Sequence, residues 1–235
     1  MVKLTVCFWV LLVVGLGVGE AQEAQWMAVL VNGKKVGYYK KTRVANADSV
    51  VTTELMTYEI DAGTDKVELL SVSETVETAL GKLIRFRKES VQKDLKRRVL
   101  GHVVGDTLHV AGVVNDQKSL KMLDWYDDVQ MVEGRRLQAL KHGLKPGTKY
   151  HARKFMVDFM AIVEVSVEVH EPVDVQLIDR VERLTETRER LQMHGQTLKS
   201  ISYRNDQMRP MKIVIPQISM EMIDCAEGYA LTPPE

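Results

Sequence analysis

The stretch 161–169 constrains this chain more than any other. Ala161, Val163, Val165, Val167 and Val169 alternate with Ile162, Glu164, Ser166 and Glu168. A period of two puts the valines on one face and the carboxylates on the other, as in a strand with one buried side and one wet side. Similar runs recur along the chain, separated by turn residues. They cover Trp26 to Val31, Val36 to Val44, Thr52 to Ile60, Val67 to Thr78, Leu83 to Val91, Lys96 to Val104 and Leu108 to Val114. After 144 they resume over Tyr150 to Phe159, Val173 to Arg183, Glu186 to Met193, Gln196 to Asn205, Lys212 to Ile215 and Ile218 to Ile223. Short strands at such spacing predict an all-β or β-dominated domain, an antiparallel meander forming a curved sheet or open barrel.

The connections agree with that reading. Asn32-Gly33 tolerates positive φ at both central turn positions and predicts a tight hairpin. Asp61-Ala62-Gly63, Leu80-Gly81-Lys82, Gly105-Asp106 and Pro146-Gly147 mark further turns. Pro210 and Pro216 belong at strand ends or edges, because proline cannot donate to a ladder. The strand period breaks between Leu120 and Leu144. There Asp127 or Asp128 is expected to cap one short helix near 129–141, ended by Gly143 and weakened at Gly134 by about 1 kcal/mol relative to alanine.

The first residues carry an address. Lys3 precedes an apolar run over 4–19, followed by Gly19-Glu20-Ala21. This is the order of a secretory signal, and the run is shorter than the roughly 20 residues of a spanning helix. Residues 1–21 are therefore expected to be removed, leaving one β-rich domain over 22–229 and a frayed tail over 230–235. An exported product would be periplasmic in a diderm bacterium. Cleavage would take Cys7 with it and leave Cys225 as the single thiol, so stability is expected from a hydrophobic core rather than a disulfide.

Charge narrows the partners. Thirty-two basic and thirty-two acidic residues give a neutral chain. Such a chain has no global field to attract nucleic acid, although local patches remain open to an envelope protein, lipid or glycan. The local run Arg85-Phe86-Arg87-Lys88, with Lys93, Lys96, Arg97 and Arg98 after it, fits either a patch for anionic envelope components or a solvated sheet face. Trp125, Tyr126 and Asp127 form the other candidate binding group, as a rim for a ligand or as a packed helix start. His102, His109, His142, His151, His170 and His194 show no ligand spacing, so no metal or other cofactor is expected. Asp224 and Glu227 beside Cys225 work against a thiolate nucleophile, and no catalytic residues are assigned.

Several phrases together resemble the exported β domain that precedes transglutaminase-like domains in bacterial envelope proteins, and its stand-alone relatives of unknown function. They are Trp26-Met27-Ala28-Val29 with Gly33 to Tyr38, then Gly143-Leu144-Lys145-Pro146-Gly147-Thr148-Lys149-Tyr150, then Asp206 to Lys212 with Ile215-Pro216-Gln217-Ile218 and Met220-Glu221-Met222. The resemblance implies a β domain with no catalytic residues of its own, since the triad of the family's enzymes lies in a further domain. The expected function is a non-enzymatic cell-envelope binding or accessory protein acting through its concave face. The alternatives are a lipid carrier or sensor with a half-barrel cavity lined by Val and Met, and a hydrolase using Cys225 or the Asp124 to Asp128 carboxylates.

Overall fold

The computed structural model describes residues 21–62, 65–193 and 195–234. The expected leader lies outside the described residues except for Ala21, which opens the first strand. Eight strands come first: β1 (Ala21–Val31), β2 (Lys34–Ala45), β3 (Ser49–Ala62), β4 (Asp65–Thr78), β5 (Leu83–Gln92), β6 (Leu95–Val104), β7 (Thr107–Val114) and β8 (Gln117–Asp124). After them come β9 (Val129–Gln130), the helix α1 (Val132–His142), β10 (Lys149–Met156), β11 (Ala161–Gln176) and β12 (Val181–Met193). The chain continues through β13 (Gln196–Arg204), β14 (Pro210–Ile215), β15 (Met220–Asp224) and the short α2 (Glu227–Leu231).

All fifteen strands share one sheet, in the order β8 to β1, then β15 to β9. Every pairing is antiparallel except β9 on β10. The two ends of the described chain therefore meet in the middle of the sheet, where β1 pairs β15. The break falls in mid-chain, between β8 and β9, across the link 125–128.

Side chains draw the two edges of the sheet together. Leu83, Phe86, Val99, Leu108 and Val110 from β5 to β7 form one core cluster with Trp125, Val129, Met131 and Phe155 from the far end. Phe86 and Trp125 both pack on Phe155, with ring centroids 5.5 and 5.8 Å away. Lys88 pairs with Asp158 at 2.6 Å, and the Lys121 ammonium donates to the Met160 carbonyl at 3.0 Å. The result is a curved sheet curled toward a barrel without a closing ladder.

Local chemistry sets the turns. Asn32 and Gly33 have φ of 52° and 76°, the two positive values a tight hairpin needs. Asn115 and Asp116 do the same at 44° and 67° and launch β8, which runs into the region from Leu120 where a break in strand structure is expected. β11 runs on to Gln176 through a bulge between Val169 and Pro172, so the strand expected over 173–183 is the end of β11, a turn and the start of β12. Pro210 opens β14 and Pro216 opens a 3-10 turn, both at strand ends.

The helix begins three residues later than expected and is capped differently. Its N-cap is Met131, which makes no side-chain capping bond. The cap comes instead from β4, where the Glu77 carboxylate accepts the Glu133 and Gly134 backbone N–H groups at 2.7 and 2.9 Å. Asp127 pairs with Lys82 and Asp128 with Arg153, so neither reaches the helix. The tail also differs from the expected fraying at 230, because Ala230 in α2 is buried. Buried Lys35 donates to the Tyr229 and Thr232 carbonyls, each at 2.6 Å, closing the end of this helix.

Gly134 is a contact as much as a weak helix former. A Cβ there would lie 2.7 Å from the Gly81 carbonyl in the β4–β5 turn, so helix and turn touch backbone to backbone. Gly134→Ala should therefore lower stability by about 1–3 kcal/mol through overpacking. Helix propensity alone would raise it by about 1 kcal/mol. The direction of the urea midpoint shift separates the two effects.

Candidate functional site: a charged lumen and a basic outer face

The inner face of the curl is where the sheet departs from an ordinary apolar core. α1 lies against it and brings Glu133, Arg135 and Arg136. Glu133 is 2 % exposed and receives two guanidinium forks: Arg43 of β2 at 2.9 and 3.0 Å, and Arg136 at 3.0 and 2.7 Å. Burial pushes this carboxyl up, but the hydrogen bonds from Arg136 and Arg43 outweigh it and hold the group at about 2. Glu77 next to it is raised by burial, against the two backbone N–H groups that lower it.

A second group sits further along the lumen. The Arg135 Nη2 donates to both carboxylate oxygens of Glu189 on β12, at 2.6 and 2.7 Å. Arg204 of β13 donates to the Thr187 hydroxyl at 3.3 Å and the Met208 carbonyl at 2.9 Å. Glu54 of β3 accepts from the Tyr39 hydroxyl at 2.6 Å, and burial with this neighbour raises the tyrosine well above its usual range. Lys41 of β2 is lowered by burial. Lys154 of β10 is lowered to about 8, first by the Arg135 guanidinium and then by burial.

The space inside is small. One cleft of about 10 Å³, room for roughly one water molecule, opens among Gly143, Leu144, Tyr150, Thr187, Glu189 and Arg204. Valines 163, 165 and 167 pack against Tyr150, Met156, Leu191 and Met193, and Met27, Val29, Met220 and Met222 fill another cluster. The Val and Met residues expected to line a lipid cavity are thus packed on one another, and the lumen between them is ionic.

The candidate residues named from the sequence divide between faces. Phe86 and Trp125, 4 % and 9 % exposed, belong to the core cluster at the seam. Tyr126 is exposed under the Arg153 guanidinium, 4.5 Å from its ring centre. Asp127 and Trp125 border an open cleft of about 220 Å³ with Lys82, Leu83 and Asp106. Arg85 and Arg87 stand on the outer face, paired with Glu74 at 3.5 Å and Glu89 at 2.6 Å.

That outer face holds residues the sequence reading passed over. Strand register places Arg87, Leu100, Ala111 and Leu120 in one row and Arg85, His102, His109 and Met122 in the next. Leu120 is 87 % exposed, Met122 70 % and Leu100 42 %. The two histidines, which carry no spacing signal, stack at 5.3 Å because β6 and β7 pair them directly. Among the described residues no three His, Cys, Asp or Glu side chains gather as a metal site would require. Cys225 is half-buried, its thiol pushed up by burial.

These features define a β-barrel-like domain: a long antiparallel meander, curled but unclosed, around one helix. The crystal structure of a β-barrel-like protein of the domain of unknown function DUF1849, from Brucella abortus, shares this fold at a TM-score of 0.60 and 11 % identity, over 86 % of this chain and 94 % of that one. A likeness at that identity is a likeness of fold. No family model matches the chain, and no curated protein does.

Proposed function

We propose that this is a non-enzymatic, exported binding protein of the cell envelope that docks on an anionic lipid surface through the outer face of β5 to β8. The observation that carries this reading is the joint exposure of Leu120, Met122 and Leu100 on a face where Arg85, Arg87, Lys96, Arg98 and Lys118 outnumber Glu89 and Asp124. Apolar side chains that enter the headgroup boundary, ringed by basic ones, are the chemistry of a peripheral lipid surface. The packed lumen favours this outer face over the concave one, and over a carrier that would engulf a lipid. A thiol pushed up by burial favours binding over cysteine chemistry. The phrases shared with the transglutaminase-associated domain fit an accessory role beside an envelope enzyme.

Vesicle sedimentation tests the reading. The protein should bind phosphatidylglycerol-containing vesicles and leave phosphatidylcholine vesicles largely alone. At about 1 kcal/mol per basic residue near the surface, the Arg85→Glu/Arg98→Glu double variant should lose at least about tenfold in affinity. Leu120→Glu should lose binding too while keeping its circular dichroism. Equal binding to both vesicle types, or variants that bind like the parent, would reject the reading.

A further inference from the structure

The two ends of the sheet are finished in opposite ways. β9 is two residues long, its Val129 is buried, and α1 follows at once. β8 is eight residues long, and every residue in it except Leu123 is exposed. Among the described residues only β7 packs along its length. An uncovered edge of that length is a template for another strand, and natural sheets blunt such edges with charge or a cover.

The hairpin register shows which backbone groups are open. Gln117 lies opposite Val114 across the turn at Asn115 and Asp116, and the Trp125 N–H donates to the Asp106 carbonyl, so the odd residues between them bond to β7. The N–H and C=O groups of Lys118, Leu120, Met122 and Asp124 therefore point away from β7, and their side chains share the outer face. Among the described residues neither Lys118 nor Asp124 makes an ion pair or a side-chain hydrogen bond.

We propose that a second copy of this chain adds to that edge, β8 on β8, antiparallel about a two-fold axis at Lys121. A two-fold contact is self-complementary, and this strand carries both halves of one. Lys118 then meets Asp124 of the second copy and Leu120 meets Met122, each pair exchanging two main-chain hydrogen bonds. Slipping one pair toward the turn would set Asp116 against Asp124 and Lys118 against Met122; slipping the other way would set Leu120 against Asp124. Charge thus selects the first register. Lysine on an edge commonly blocks pairing, but here Lys118 is answered by Asp124. Lys121 falls on the axis, where each ammonium is drawn to the Met160 carbonyl of its own copy at 3.0 Å. The pairing uses the edge and leaves the outer face open, so it stands or falls apart from lipid docking.

Sedimentation velocity without lipid tests this. The parent should pass from monomer to dimer as its concentration rises to about 0.1 mM, where a micromolar dissociation constant is saturated. Asp124→Lys sets like charges at both ends of the contact and should weaken dimerisation by roughly tenfold. Lys118→Asp/Asp124→Lys restores opposite charges and should restore the dimer. In a Cys225→Ser background, Lys121→Cys should cross-link to its counterpart under mild oxidation, since residues facing each other at a non-hydrogen-bonded position lie within disulfide reach. Amide exchange should slow at Leu120 and Met122 on dimerisation and stay unchanged at Ser119 and Lys121. The Arg85→Glu/Arg98→Glu variant should dimerise like the parent whatever its vesicle binding, which keeps the two proposals separable. A parent that stays monomeric, a charge-swapped variant as weak as Asp124→Lys, or a dimer whose β8 amides exchange as in the monomer would overturn the proposal.

Discussion

Glu77→Ala is expected to lower unfolding free energy by about 3 kcal/mol and to loosen α1 from the sheet. Two buried backbone N–H groups, those of Glu133 and Gly134, would lose their acceptor at once. A buried donor left unpaired costs about 1–3 kcal/mol, more where the lost bond was charge-assisted. Because α1 carries Glu133 and Arg135, the loss should spread to the ion pairs on β2 and β12. Hydrogen exchange at the first amides of α1 should accelerate well beyond that at β11. Glu77→Gln, which keeps one oxygen acceptor, should fall between the parent and alanine. A loss below 1 kcal/mol with α1 amides still protected would show that the helix is held by packing alone.

The second large effect belongs to Glu133. Glu133→Gln leaves Arg43 and Arg136 without their carboxylate and should cost about 3–5 kcal/mol at neutral pH, as breaking a buried pair does. Its pH dependence has a definite sign. The carboxyl sits at about 2 in the fold against an ordinary 4.5. A depressed carboxyl binds fewer protons folded than unfolded, so its contribution is present above pH 4.5 and lost as pH falls toward 2. At about 1.4 kcal/mol per unit, roughly 3 kcal/mol should vanish in that window. The gap between the parent and Glu133→Gln, read from urea midpoints, should therefore close between pH 4.5 and 2. A gap that stays constant would mean that the forks do not stabilise the ionised form.

How much of this was legible in the residues depends on range. Period two and turn chemistry carried the strand series from Trp26 to Val114, because both are encoded within a few positions. β8 was missed since Gln117 to Asp124 lacks β-branched residues, although Asn115-Asp116 marks the hairpin that starts it. Pro172 disguised the continuity of β11, where a bulge absorbs the missing donor. The helix cap was not legible at all, as Glu77 lies 56 residues from the amide it accepts. Alternation shows that a strand has two faces but not which one turns inward. Lys41, Glu54 and Lys154 carry no local mark that sets them on the inner face. Arg85 and Arg87 were legible as a basic face; Leu120 and Met122 joined them only through register.

The central claim is that the outer face of β5 to β8 is the binding surface, and hydrogen exchange with and without anionic vesicles tests it most directly. Bound protein should show new protection over 117–124 and 95–104, with β11 and β12 unchanged. Protection confined to β11 to β14, or none under conditions where the protein sediments with the vesicles, would contradict it.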